Sequence, residues 1–345
     1  FLRLLARRTW AFFDRCVGPE DHWLPPDNIQ EYRVASVAHR TSPTNMGLAL
    51  LANLAAYDFG YLTVGRLLER TAYTLNTMLG LEQHRGHFFN WYDTQTLQPL
   101  PPLYVSTVDS GNLGGHLLTL RAGLLALADD PLLPKQFFAG FYDSLGLLVE
   151  TADPGLKGPL AAFGKLLDSA TGAPHRNIGS MRLCLQSLAS NATELQTQVA
   201  GSLQTRDASL AESEAPEWAR ALLVQSSEAL VELNLLAGNN AVDTWPTLRE
   251  LAAAGSAVAN ARLVTIEGLA TEAGKLADME YGFLFDKSRH LLTIGYNVSE
   301  RRLDTSYYDL LASEARLCTF VAIAQGQVPQ ESWFSLGRLL TGTGG

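Results

Sequence analysis

Val64-Gly65-Arg66-Leu67-Leu68-Glu69-Arg70-Thr71-Ala72-Tyr73-Thr74-Leu75-Asn76-Thr77-Met78-Leu79 places Val64, Leu67, Leu68, Thr71, Leu75, Met78 and Leu79 on one stripe. This i, i+3/i+4 spacing, sustained over four turns, predicts an amphipathic helix with one face given to a core. Upstream, Ser42-Pro43 offers a hydroxyl at the N-cap and a proline at the first helical position. The helix it opens should run through Leu48, Leu51 and Ala55 to about Tyr57. Downstream the pattern breaks. Residues 86–106 are rich in aromatics and contain Gln98-Pro99-Leu100-Pro101-Pro102, which predicts an extended loop with a short strand or two. Helical spacing returns over 112–128.

The alternation of helix and long loop continues outward. Leu5, Trp10, Phe13 and Val17 predict a helix over Leu2–Cys16, stopped by Gly18-Pro19, and then a loop over 21–38 around Pro25 and Pro26. From 132 to 277 the spacing is helical, with breaks at Pro154, Gly172-Ala173-Pro174, Glu214-Ala215-Pro216 and Gly238. Its cleanest stripe is Trp218, Leu222, Ala229, Leu230, Leu233 and Leu236. Phe283-Leu284-Phe285 and 291–296, around the polar Asp286-Lys287-Ser288-Arg289, predict a β-hairpin. Ser306 with Asp309 three residues on reads as a capping box. Its helix should continue through Leu310, Leu311, Leu317, Val321 and Ile323 to Gly326, with another begun over 328–338. Helices joined in turn by short links and long aromatic-rich loops suggest pairs arranged about a common axis. Periodicity alone gives a mainly α class.

A chain of 345 residues with 47% hydrophobic and 18% charged residues can bury a sizeable core. The net charge of −9, with no local Lys/Arg cluster against it, argues against nucleic acid or anionic lipid as partners. Cys16, Cys184 and Cys318 have neither CxxC nor Cys/His spacing, so we expect buried thiols in a reducing compartment. No apolar run approaches the roughly 18–20 residues of a membrane span. Ligand-type residues do not cluster, and Gly111, Gly114 and Gly115 follow no strand–glycine-loop–helix pattern. The expectation is therefore no metal and no nucleotide cofactor. Phe1 follows no signal-peptide layout, and the Gly342-Thr343-Gly344-Gly345 end suggests a piece of something longer.

Three short clusters carry the chemistry. His39-Arg40-Thr41-Ser42-Pro43-Thr44-Asn45, Asn90-Trp91-Tyr92-Asp93 and Val108-Asp109-Ser110-Gly111-Asn112 combine flat rings, amides, carboxylates and a guanidinium between helices. A pyranose offers an apolar C–H face for a ring and a rim of hydroxyls for such groups. Trp91 and Tyr92 could stack on a sugar while Asn90 and Asp93 hold its hydroxyls; equally, they could pin the loop to the core. His39 and Arg40 could line the same cleft or scaffold it. Asp109 and Asn112 stand at a helix start, where a cap explains a carboxylate as well as a site does. Tyr307, Tyr308 and Asp309 repeat the composition. Glu314 is read as an Arg-paired helix carboxylate rather than as an acid catalyst.

The ordered strings Thr9-Trp10-Ala11-Phe12-Phe13, Trp23-Leu24-Pro25-Pro26-Asp27-Asn28, His39-Arg40-Thr41-Ser42-Pro43-Thr44-Asn45-Met46-Gly47, Arg85-Gly86-His87-Phe88-Phe89-Asn90-Trp91-Tyr92-Asp93 and Val108-Asp109-Ser110-Gly111-Asn112-Leu113-Gly114-Gly115-His116 resemble the bacterial cyclic β-1,2-glucan synthases. The region resembled is their central glycoamylase-like domain. Ile294-Gly295-Tyr296-Asn297 and Tyr307-Tyr308-Asp309-Leu310-Leu311-Ala312-Ser313-Glu314-Ala315-Arg316 are similar to its later part.

The resemblance implies an incomplete (α/α)6 toroid of the glucoamylase-like kind with a small β-hairpin. Residues 1–130 would supply cleft loops, 131–280 a structural helical middle, and 281–345 the hairpin and following helices, cut short. It implies β-1,2-glucan as partner and retaining transglycosylation in which a glucan chain is cut and rejoined into a ring. Such chemistry needs two carboxyl groups across the scissile bond. The family's glutamates should follow 333–338, so no catalytic residue is assigned. The implied substrate-binding set is His39, Arg40, Asn45, Asn90, Trp91, Tyr92, Asp93, Asp109, Asn112, Tyr308 and Asp309. Other domains of the same synthase would be partners, and the location would be the cytoplasmic side of the bacterial inner membrane. Alternatives are a non-catalytic glucan-binding scaffold and a related β-1,2-glucan hydrolase.

Overall fold

The computed structural model describes residues 1–30, 36–134, 136–172, 178–204, 213–237 and 245–337. These are mainly helical, as the spacing predicts, with short antiparallel strands in the loops. In chain order the helices are α1 (Leu2–Cys16), α2 (Pro43–Asp58), α3 (Val64–Leu79), α4 (Thr107–Ala126), α5 (Gln136–Thr151), α6 (Lys157–Gly172), α7 (Ile178–Gln204), α8 (Ala215–Ala237), α9 (Leu248–Ala253), α10 (Ala257–Leu276), α11 (Ser313–Ala324) and α12 (Glu331–Ser335). The strands are β1 (Ile29–Gln30), β2 (Ser36–Val37), β3 (Arg40–Thr41), β4 (Gln83–His84), β5 (His87–Phe88), β6 (Tyr92–Asp93), β7 (Tyr104–Ser106), β8 (Phe285–Asp286), β9 (Leu291–Leu292), β10 (Gly295–Asn297) and β11 (Arg302–Leu303). No described helix is long and apolar enough to cross a membrane.

The chain divides into two compact units, each discontinuous in sequence. The first comprises Phe1–Phe12, Asn53–Glu69 and Leu125–Glu267. In it α5 packs on α6, α6 on α7, α7 on α8 and α8 back on α5, closing a four-helix bundle. Phe141, Phe163, Leu185, Leu188, Trp218 and Leu222 fill its core. Arg7 is buried with its guanidinium over the rings of Tyr61 and Trp218 and donates to Ser144 Oγ at 2.9 Å. Ser144 in turn donates to Gln225 Oε1, and Gln225 Nε2 to the Gly60 carbonyl. Each buried polar group along this path is thereby matched.

The second unit comprises Phe13–Ala52, Arg70–Leu124 and Gly268–Gly345. Here two threonines of α3 hold an earlier loop. Thr74 Oγ1 donates to the Trp23 carbonyl at 2.9 Å and Thr77 Oγ1 to that of His22 at 2.6 Å, while Tyr73 stacks on Trp23. Leu24, Pro25 and Pro26 are buried beneath. The loop expected over 21–38 is thus clamped to α3. It contains the antiparallel pair β1–β2, with Ile29 opposite Val37, and its residues 31–35 lie outside the described residues. The 86–106 loop carries β5, β6 and β7. Strand β3 pairs with β6, Arg40 opposite Asp93 and Thr41 opposite Tyr92, and β10 lies between β7 and β11.

Several boundaries differ from expectation. Helix α4 begins at Thr107, not at Asn112, and its cap is Ser106, whose Oγ accepts the Asp109 N–H at 3.3 Å. Asp109 is therefore a first-turn residue. Three of the four glycines of α4 serve packing: a Cβ on Gly111 would fall on the Cα and Cβ of Cys318, and Gly114 and Gly115 lie against Val321 and Leu317 of α11. The capping box at Ser306 and Asp309 does not form. The Ser306 carbonyl accepts from Ile294 N at 3.0 Å, Asp309 Oδ1 takes the Leu311 N–H at 2.8 Å, and α11 starts only at Ser313. Leu310 and Leu311 precede that helix and are exposed. The hairpin forms as β8–β9, shorter than expected, because Gly282–Leu284 is a 3-10 turn. The helix expected over 328–338 is α12; Arg338, like the breaks at Pro174 and Gly238, lies outside the described residues.

Candidate functional site

Every residue of the expected binding set lies in the second unit. The two long loops meet there. His22 Nδ1 is 2.9 Å from the Thr94 carbonyl, and Thr94 N donates to the His39 carbonyl at 3.1 Å. Buried Asp21 accepts both the Thr94 hydroxyl and, at 2.8 Å, His39 Nδ1. His39 thus splints the two loops, its ring nitrogen on Asp21 of the first and its carbonyl on Thr94 of the second.

Beside this splint, the Arg40 guanidinium lies 4.8 Å from the Trp91 ring centroid. It is fixed by Asp27, whose Oδ2 accepts from Arg40 Nε at 3.2 Å and Nη2 at 3.0 Å. Asp27 Oδ1 accepts from Asn45 Nδ2 at 3.4 Å. One face of a half-buried tryptophan is therefore backed by a cation whose own geometry a carboxylate sets. Asp27 is not in the expected set; its place directly after Pro25-Pro26, at the exit of a buried turn, is the signal the sequence offers.

The row continues from Asn45 to its neighbour Thr44. Thr44 Oγ1 donates to Asp109 Oδ1 at 2.6 Å and accepts from Asn112 Nδ2 at 3.1 Å. Tyr308, half-buried, lies near Asp109, Glu314 and Asp304; burial first, then those carboxylates, raise its pKa, so its hydroxyl stays a donor at neutral pH. Tyr104 donates to Asp304 Oδ2 at 3.1 Å and crosses Gly295, where any Cβ would strike the phenol. Thr44, Tyr104 and Asp304 were not anticipated. Thr44 was hidden behind its apparent role as an early helix residue, and Asp304 carries no local signal.

Four expected contributors do other work. Tyr92 is fully buried; its hydroxyl donates to the Glu82 carbonyl at 2.6 Å and accepts from Phe89 N at 2.8 Å, so it anchors the loop and has no face for a sugar. Asp93 Oδ1 accepts from Gln95 N, Thr96 N and Thr96 Oγ1. These bonds close the 93–97 turn, and the Thr96 amide foremost holds the carboxyl below its ordinary pKa. Asp309 is exposed and turns its own backbone at Leu311. His39 is the splint already described. Asn90 is half-buried and donates its backbone N–H to the Tyr104 carbonyl at 2.7 Å. Among the described residues, the Asn90 amide, the Trp91 indole N–H and the Tyr308 hydroxyl have no hydrogen-bond partner. No group of three or more His, Cys, Asp or Glu side chains suited to a metal occurs among those residues.

No protein-family model matches the chain. Among solved structures, a glucoamylase-like protein of Bacteroides fragilis NCTC 9343 aligns with 36% of this chain and 30% of its own, at 21% identity and a TM-score of 0.31. In sequence, the chain is 33% identical over 362 aligned residues to the cyclic beta-(1,2)-glucan synthase NdvB of Rhizobium meliloti (strain 1021). That alignment takes in 98% of this chain and 12% of NdvB. Along nearly its whole length, then, the chain is a relative of one segment of a cyclic β-(1,2)-glucan synthase.

Proposed function

We propose that the second unit binds β-1,2-glucan for a carbohydrate-active domain whose reaction, in the protein it serves, is retaining transglycosylation. The observation that carries the reading is the row from Arg40–Trp91 to Asp109–Tyr308, together with the kinship to a cyclic β-(1,2)-glucan synthase. A tryptophan backed by a fixed guanidinium is a platform for the C–H face of a pyranose. The Asn90 side-chain amide and the Trp91 indole N–H, without partners among the described residues, suit ring hydroxyls. In this reading Asp27 holds the platform rather than the sugar, and His39 holds the two loops that carry it. Transglycosylation further requires a carboxyl pair about 5–5.5 Å apart, which we assign to none of these residues.

Isothermal titration of the chain with linear β-1,2-glucan tests the reading, with linear β-1,4-glucan for comparison. Replacing Trp91→Ala should weaken β-1,2-glucan binding by about 1–3 kcal/mol, the scale of one aromatic side chain, with thermal unfolding unchanged. Unchanged affinity in the folded variant would reduce Trp91 to a loop anchor. A wild-type chain that binds neither glucan would leave it a scaffold.

A further inference from the structure

Asp109 is held by more than its helix. Its Oδ1 receives the only proton of the Thr44 hydroxyl, at 2.6 Å, and the same hydroxyl oxygen is pinned from behind by Asn112 Nδ2 at 3.1 Å. Asn112 is buried, and Thr44 sits in the first turn of α2, which Ser42 caps through the Asn45 N–H at 3.2 Å. A three-residue relay spanning α2 and α4 therefore orients one carboxylate. Thr44 has no second proton to offer a ligand, and Asn112 gives it one of its amide protons. Together they fix the group that could touch a sugar.

The carboxylate so fixed lies near the half-buried Tyr308, whose hydroxyl has no partner among the described residues. The pair offers one acceptor and one donor, and a sugar hydroxyl both donates and accepts. The charges felt at the Tyr308 hydroxyl are all carboxylates: Asp109, Glu314 and Asp304. A neutral hydroxyl suits such surroundings; a sugar carboxylate or phosphate would be repelled.

We propose that Thr44 and Asn112 are positioning residues for Asp109, and that the carboxylate so fixed selects a hydroxyl of a neutral sugar over an anionic one. This rests on the glucan-binding reading above. The test measures affinity of the chain for linear β-1,2-glucan and for the same glucan oxidised at C6 to carboxylates. Wild type should favour the neutral polymer. Thr44→Val, which keeps the shape and removes the hydroxyl, should weaken neutral glucan about three- to tenfold, and Thr44→Ser should restore it. Asp109→Asn should narrow the ratio between neutral and oxidised polymer. If Thr44→Val does not fold, Asn112→Ala serves in its place, with a loss of about two- to threefold expected.

The failures are separable. A wild type that binds no β-1,2-glucan defeats the glucan reading. A wild type that binds, with Trp91→Ala weakened but folded Thr44→Val unchanged, defeats the positioning role alone. A ratio unmoved by Asp109→Asn defeats the selection against charge.

Discussion

His87 shows how far burial alone decides a residue's chemistry in this chain. Its ring is fully buried, with Nε2 2.9 Å from the Glu280 carbonyl and Nδ1 2.8 Å from Ser110 Oγ. A carbonyl only accepts, so Nε2 carries the ring proton; Nδ1 faces Ser110 Oγ, whose single proton is directed at the Ser106 carbonyl 2.8 Å away. Burial pushes the imidazole down to about 4, against the smaller upward pull of the Glu280 carbonyl. Above the unfolded value of about 6.5 both states are neutral and the contribution is intact. As pH falls from about 6.5 to about 4 the unfolded chain takes up a proton that the folded one refuses, and stability is lost. Urea unfolding should therefore show a loss of about 2 kcal/mol between pH 7 and pH 5 that His87→Gln lacks. Equal losses in both would place the proton uptake elsewhere. The same distinction between buried and half-buried rings decided the candidate site. Residue types announced Trp91, Tyr92 and Asp93 together, but a two-residue strand alternates its faces. Tyr92 therefore went inside, and Asp93 was consumed by its own turn. Local sequence states which groups are present; it does not state which of them the backbone has already used.

At the scale of elements, α4 and α11 come close at Gly111. A methyl group there would meet backbone as well as side chain of Cys318, so α11 must move as a body. Gly111→Ala should cost about 2 kcal/mol or more, despite alanine's better helix propensity. Gly115→Ala, whose methyl would come 3.3 Å from the mobile end of Leu317, should be neutral or stabilising by about 0.5–1 kcal/mol. Melting temperatures of the two variants, moving in opposite directions, would establish the crossing; a tolerated Gly111→Ala would place α11 farther away. This contact also explains why the start of α4 was illegible. Apart from Val108 its first turns are Thr107, Asp109, Ser110, Gly111 and Asn112, a polar and small-residue run with no apolar stripe, and α11 packs on it at Gly111 and the Thr107 carbonyl. By contrast α1, α2 and α3 were readable to within a residue or so, because Gly18-Pro19, Ser42-Pro43 and a four-turn stripe are local signals. The failed box at Ser306 is the converse case. A good local cap lost to a tertiary hydrogen bond from Ile294.

For the whole chain, periodicity predicted the class but not the division into units. Helical spacing over 132–277 reads as one segment, whereas the first unit also draws in residues 1–12 and 53–69, and the second gathers three separate stretches. Contacts between stretches so distant in sequence leave no periodic trace. Net charge is the property that does act at this scale. With 35 acidic residues against 26 basic ones, the chain repels polyanions at long range, and Arg40, beside Trp91, is already engaged by Asp27. A neutral glucan feels none of that field. Its affinity should rest on ring stacking and on hydrogen bonds too short-ranged for salt to screen, since the Debye length is about 10 Å at 0.1 M ionic strength. Titrations of linear β-1,2-glucan at 50 and 500 mM salt should therefore agree within about twofold, whereas ligands held by phosphate contacts lose orders of magnitude over a similar range. A steep loss with salt would mean that recognition runs through charge. It would move the binding surface away from the Arg40–Trp91 platform, whose cation is neutralised before any ligand arrives.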